Sequence, residues 1–90
     1  MAILYQTTNM ADATLRVALV PRADADLLVH RVATPGLAHG DAHWFITRSR
    51  SDAISLVHFT SLGMAQLTVC FVASHGEAGW QKPRPHSIRL

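Results

Sequence analysis

Short runs of alternating apolar residues recur along the chain: Leu15/Val17/Leu19, Leu27/Val29 and Leu67/Val69/Phe71. Alternation with a period of two marks strands with one face buried, and Val, Ile, Phe and Thr are concentrated in these runs. A polar stretch of turn-forming residues precedes each run, and an alanine closes it. The stretches include Thr7-Thr8-Asn9, Pro21-Arg22, Thr34-Pro35-Gly36, Arg48 to Ser51, Ser61-Leu62-Gly63 and Ser74-His75-Gly76. Asn9, Ser51 and Ser61 are placed to cap single helical turns that end near the alanine. No run holds a 3.6-residue period over three turns, so the predicted elements are short strands joined by tight, partly helical turns.

The marker alanines are Ala13, Ala25, Ala38, Ala53, Ala65 and Ala78, at spacings of 12, 13, 15, 12 and 13. An ungapped shift of forty residues aligns 9–40 with 49–80 and gives ten identities in thirty-two positions, among them Asp12/Asp52, Ala25/Ala65, Leu27/Leu67, Val29/Val69 and Gly36/Gly76. About two or three would arise by chance, so the pattern reads as an internal repeat. A small side chain at the junction of turn and strand lets another backbone pass close by, where a larger one would overpack. The expected fold is α+β and β-dominated. It is a compact single domain of six short turn–strand repeats in two pseudo-equivalent halves, about 9–40 and 49–80. Residues 1–80 form the repeat domain and 81–90 a basic, proline-containing tail.

Ninety residues, 49% of them apolar, suit one modest core. The apolar runs are far shorter than the ~20 residues of a membrane span, and the N-terminus lacks the basic and apolar regions of a signal peptide. One cysteine, Cys70, excludes an internal disulfide and fits a reducing, cytoplasmic setting; its apolar surroundings predict a buried, inert thiol. The net charge of +2 is uneven: residues 1–45 carry three Arg and four Asp, residues 46–90 five basic and two acidic side chains. Lys82, Arg84 and Arg89 sit in the tail, so the basic balance is not a basic face, and nucleic acid is disfavoured as a partner. Its candidate contacts are Arg48, Arg50, Lys82 and Arg84.

The densest polar cluster is His39-Gly40-Asp41-Ala42-His43. Imidazole and carboxylate are usable zinc or iron ligands, so His39, Asp41 and His43, with His75 from the other half, form a candidate metal set. Gly40 argues against a helix there, and the alternative is a polar turn before the strand Trp44–Thr47. His30 and His58 occupy strand positions on a solvent-facing or half-buried face. Ser55, Thr60 and Ser61 lie near His58 without nucleophile-elbow spacing, so no catalytic residue is assigned and the chain leans away from an enzyme. Asp12, Asp24 and Asp52, each just before a marker alanine, are expected to accept hydrogen bonds from turn amides. Trp44 and Trp80 are expected in the core. No cofactor is implied.

Tyr5-Gln6-Thr7, the Ala25-Asp26-Leu27-x-Val29 unit, Trp44-Phe45-Ile46-Thr47, the run from Ala65 to Val72 and Glu77-Ala78-Gly79-Trp80 together resemble the septoil-knot domain family over about residues 3–80. That family comprises small, mainly bacterial proteins of unknown function whose chain is tied in a seven-crossing torus knot. The resemblance implies a knotted, β-rich monomer in which successive strands wind round one core. It carries over no activity, cofactor or site residue. Two function classes follow: a non-enzymatic structural or interaction module with high kinetic stability, or a small metal- or ligand-binding protein using the His/Asp cluster. Convergence of the histidines on one pocket would favour the second.

Overall fold

The computed structural model describes residues 2–83. Six five-residue strands, β1 (Ala2–Gln6), β2 (Leu15–Leu19), β3 (Leu27–Arg31), β4 (His43–Thr47), β5 (Ser55–Phe59) and β6 (Leu67–Phe71), are followed by a two-residue strand, β7 (Gly79–Trp80). Between them lie one-turn 3-10 helices: η1 (Met10–Asp12), η2 (Arg22–Asp24), η3 (Pro35–Leu37), η4 (Arg50–Asp52), η5 (Leu62–Met64) and η6 (His75–Glu77). The helical part of the expected α+β fold is therefore six three-residue turns among the described residues. β1, to which the sequence pattern assigned no element, is a full strand.

Every marker alanine caps the C-terminal end of one of these turns. Its N–H donates to the carbonyl three residues back, at 3.1 to 3.4 Å, and closes the turn. The two Asx- and serine-type caps that form are Asn9 on the Ala11 amide and Ser74 on the Gly76 amide. Ser61 holds the cap position without a side-chain bond, and Ser51 lies inside η4, two residues beyond the cap position, which Ser49 holds. The long spacing from Ala38 to Ala53 comes from the extra turn before β4, where Gly40 takes φ +62°.

After Ala13, Ala25, Ala53 and Ala65 the next residue clamps the turn to a neighbouring strand, whereas His39, after Ala38, bonds back to Leu37 of its own turn. The Thr14 amide donates to the Leu56 carbonyl at 2.8 Å and its hydroxyl accepts from the Leu56 amide at 2.9 Å. Asp26 and Thr68 exchange the same kind of bonds, as do Gln66 and Arg16. The carboxylate that takes a strand amide is thus Asp26's, one residue past the alanine. Asp12, before the alanine, faces Arg50 across 3.7 Å instead.

β1 to β6 pair in parallel and close into a barrel in the order β1, β5, β2, β6, β3, β4 and back to β1. β7 runs antiparallel along β3. It takes Leu27 and Leu28 of an edge whose other half, His30 and Arg31, pairs with β4. With β7 counted between β3 and β4, each strand lies two positions beyond its predecessor round the ring. The first lap lays down β1, β2, β3 and β4. The second slots β5 between β1 and β2, β6 between β2 and β3, and β7 against β3 on the side of β4.

Alternation does the rest. Leu4, Val17, Leu27, Val29, Trp44, Val57 and Val69 point inward and are fully buried, with Leu15 and Leu67 almost so. Phe59, Ala78 and Trp80 pack against this core from its ends. Outward positions are half-buried at Arg16, His30, His43, Leu56, Thr68 and Cys70, while Ala18, Leu28 and Thr47 are covered from outside. Val69 and Phe71, the neighbours of Cys70, hold the other parity, so the thiol is half-buried on the outer wall and not enclosed in the core. Among the described residues no helix is long and apolar enough to cross a membrane.

Candidate histidine pocket

The seam where β3 meets β4 carries the candidate site. His30 on β3 and His43 on β4 are register partners, both outward-facing and half-buried. η6 lies against β3 and brings His75 over the same seam. The three imidazoles form a nearly equilateral triangle with ring centres 6.0 Å (His30–His43), 6.3 Å (His30–His75) and 6.1 Å (His43–His75) apart. His39, in the turn after η3, joins them around a pocket of about 370 Å³, completed by Val32 and Leu37. Its wall is imidazole and aliphatic carbon.

One tautomer is fixed by geometry. His30 Nδ1 stands 3.2 Å from the Val72 carbonyl oxygen. A carbonyl only accepts, so Nδ1 carries the proton and, in the neutral ring, Nε2 keeps its lone pair. His58 makes the same bond to the Thr7 carbonyl at 3.0 Å on another part of the barrel. A strand histidine tied to a carbonyl beyond a neighbouring strand is thus a local habit of the fold. Only at the β3–β4 seam does it meet two further imidazoles.

Of the expected metal set, His39, His43 and His75 come together and Asp41 does not. The Asp41 backbone carbonyl accepts from Trp44 Nε1 at 2.6 Å, and its carboxylate accepts from Trp80 Nε1 at 3.1 Å. Asp41 therefore ties the buried indole of the first lap to the last strand of the second. His30 replaces it at the pocket. The signal was present in the sequence as parity: His30 has the outward parity of β3, opposite to Leu27 and Val29. Among the described residues no group of three or more His, Cys, Asp and Glu is placed to hold a metal ion as it stands.

The nucleic-acid candidates are dispersed in role. Arg50 faces Asp12 at 3.7 Å, Lys82 pairs with Asp26 at 3.3 Å, and Arg48 is exposed beyond β4. Arg84 and the residues after it lie outside the described residues. Gln81 and Lys82, assigned by sequence to that tail, bond to the repeat domain: the Gln81 amide donates to the Asp26 carbonyl at 2.8 Å.

The model of the 7(1) septoil knot domain matches residues 1–81. The chain belongs to that family. No curated protein and no solved structure matches it.

Proposed function

We propose that this septoil-knot domain is a non-enzymatic binding module, a kinetically stable knotted barrel that presents a histidine-lined pocket to a small ligand. The observation that carries the reading is the convergence of His30, His39, His43 and His75 on one pocket from three separate parts of the chain. Imidazoles tied into a strand seam, with an aliphatic floor, offer lone pairs and hydrogen bonds beside an apolar surface, the usual make-up of a small-molecule site. The lining supplies no hydroxyl, thiol or carboxylate nucleophile. A fragment screen by NMR on the full chain tests this. Binders should shift the ring signals of His43 and His75 and lose their effect in a His43→Ala variant. Fragments that bind only elsewhere would refute it.

The knot is supported by the lap order. Two interleaved turns round one axis, each strand two places on from the last among seven, are what a seven-crossing torus knot requires. Parting any neighbouring strands then means drawing one lap out of the other, so unfolding should be slow. We expect an unfolding rate in water at or below about 10⁻⁵ s⁻¹, near the slow end for small domains. A rate like that of ordinary domains of this size would contradict the knotted reading. The setting proposed is the cytoplasm, as a monomer, for a chain whose one cysteine leaves no internal disulfide to form.

A further inference from the structure

We infer that the ligand class of the pocket is a borderline divalent transition-metal ion, zinc or nickel, held by His30, His43 and His75. The inference rests on the pocket being a ligand site and adds what the site selects. Three arguments carry it.

The first is geometric. With metal–nitrogen bonds of about 2.0–2.1 Å, three imidazoles in tetrahedral array have ring centres about 5.3 Å apart. The observed 6.0, 6.3 and 6.1 Å are open by about 1 Å at most on each edge. The rings as they stand are not a formed site, and closing it takes ring rotation and a small inward shift of η6, the exposed element that carries His75. A phosphate-sized anion would need rings spread wider than they are, since each N–H···O contact adds about 2.8 Å between ring and ligand.

The second argument is the tautomer. His30 donates from Nδ1 to the Val72 carbonyl, which leaves Nε2 as the free lone pair. A ring nitrogen tied to a backbone carbonyl is the outer-shell arrangement that orients ligating histidines. The third is donor chemistry. The pocket has imidazole nitrogens and no carboxylate, which disfavours calcium and magnesium and suits zinc, nickel or copper. Three protein ligands would leave one tetrahedral position to a fourth donor.

Isothermal titration of the untagged full chain with Zn²⁺ and with Ni²⁺ tests the inference, with every protein carrying His86→Ala so that the tail contributes no imidazole. We expect one site of micromolar or tighter affinity. His75→Ala, on an exposed turn where folding is not at stake, should weaken it at least tenfold, and His43→Ala likewise. His58→Ala, which removes the same type of carbonyl bond away from the pocket, should leave the affinity within twofold. Binding unchanged in the His43→Ala/His75→Ala double variant would overturn the inference, as would no binding at 1 mM metal. The NMR fragment screen separates the two levels: fragments shifting His43 and His75 without metal binding would leave the pocket reading standing and end the metal inference. Failure of both would end both.

Discussion

The six marker alanines share one capping role but not one environment, and this allows a test inside a single molecule. Ala25 and Ala65 are forty positions apart, cap η2 and η5, and have nearly the same dihedrals, −76°/139° and −84°/145°. Ala25 is fully buried, whereas Ala65 is half-buried. The difference has a visible cause. Gln81 crosses the η2 turn, and its side-chain amide donates to the Arg22 and Ala25 carbonyls at 2.7 and 2.8 Å. Enlarging Ala25 to Leu must therefore push against the segment lying over it, while the same change at Ala65 extends towards solvent. Overpacking a closed position costs about 1–3 kcal/mol, and an open one stays within about 0.5 kcal/mol.

Thermal unfolding followed by tryptophan fluorescence reads this directly. For a domain of this size 1 kcal/mol moves Tm by roughly 4–8 °C, so Ala25→Leu should lower it by about 5–20 °C and Ala65→Leu by no more than about 4 °C. Adding Gln81→Ala should relieve part of the Ala25→Leu loss, a coupling of at least about 0.5 kcal/mol, because the two side chains compete for one space. Equal losses at the two alanines would refute the argument. It would mean that the alanine is needed by the turn itself and that nothing specific to the second lap presses on it.

Two further outcomes follow from the polar contacts. Asp41→Ala removes a charged acceptor from the half-buried Trp80 indole and should cost about 1–2 kcal/mol, with Trp80 emission shifting to the red in the folded state; unchanged stability and emission would mean that Asp41 does not fasten β7. Arg50→Ala breaks an ion pair whose side chains are both about half exposed at 3.7 Å, and urea unfolding should move by less than about 0.5 kcal/mol; a larger loss would show that η1 and η4 are held together by charge.

What the sequence made legible was local. Alternation in Leu27/Val29 and Leu67/Val69 gives strands and their inward face, and alanine spacing marks the turn ends, because both are set within a few residues. The apolar run as a whole suggests a buried Cys70, but the thiol is half-buried. Counted by parity, it shares the outward face with Thr68. Strand order was beyond reach for a physical reason. Leu15 pairs with Val57 and Leu27 with Val69 across forty-two positions, and nothing in either strand distinguishes that partner from the strand next in sequence. The neighbour is chosen by the lap on which the chain returns. The pocket was half legible. His39, His43 and His75 were singled out as chemistry, but His30 looked like one more strand residue, and Asp41 looked like a ligand until its two indole bonds were seen.

The seam explains why the pocket lies where it does. Elsewhere on the barrel each strand edge has a single strand neighbour: β1–β5, β5–β2, β2–β6 and β6–β3 join the two laps, and β4–β1 closes the ring within the first. On β3 the edge is divided: β7 takes its first half and β4 its second. β7 is only two residues long and runs the opposite way, so it cannot continue along β3 past Leu27 and Leu28. The outer wall beyond it, above His30 and His43, is left to whatever leads into β7, and that is η6 with His75. A two-lap winding that ends on a short antiparallel strand therefore has to leave a notch at this one place. The histidines occupy the part of the surface that the fold does not close for itself. Lengthening β7 towards η6 by strand-forming substitutions should fill the notch at the expense of the pocket, which ties the site to the end of the winding and not to the barrel as such.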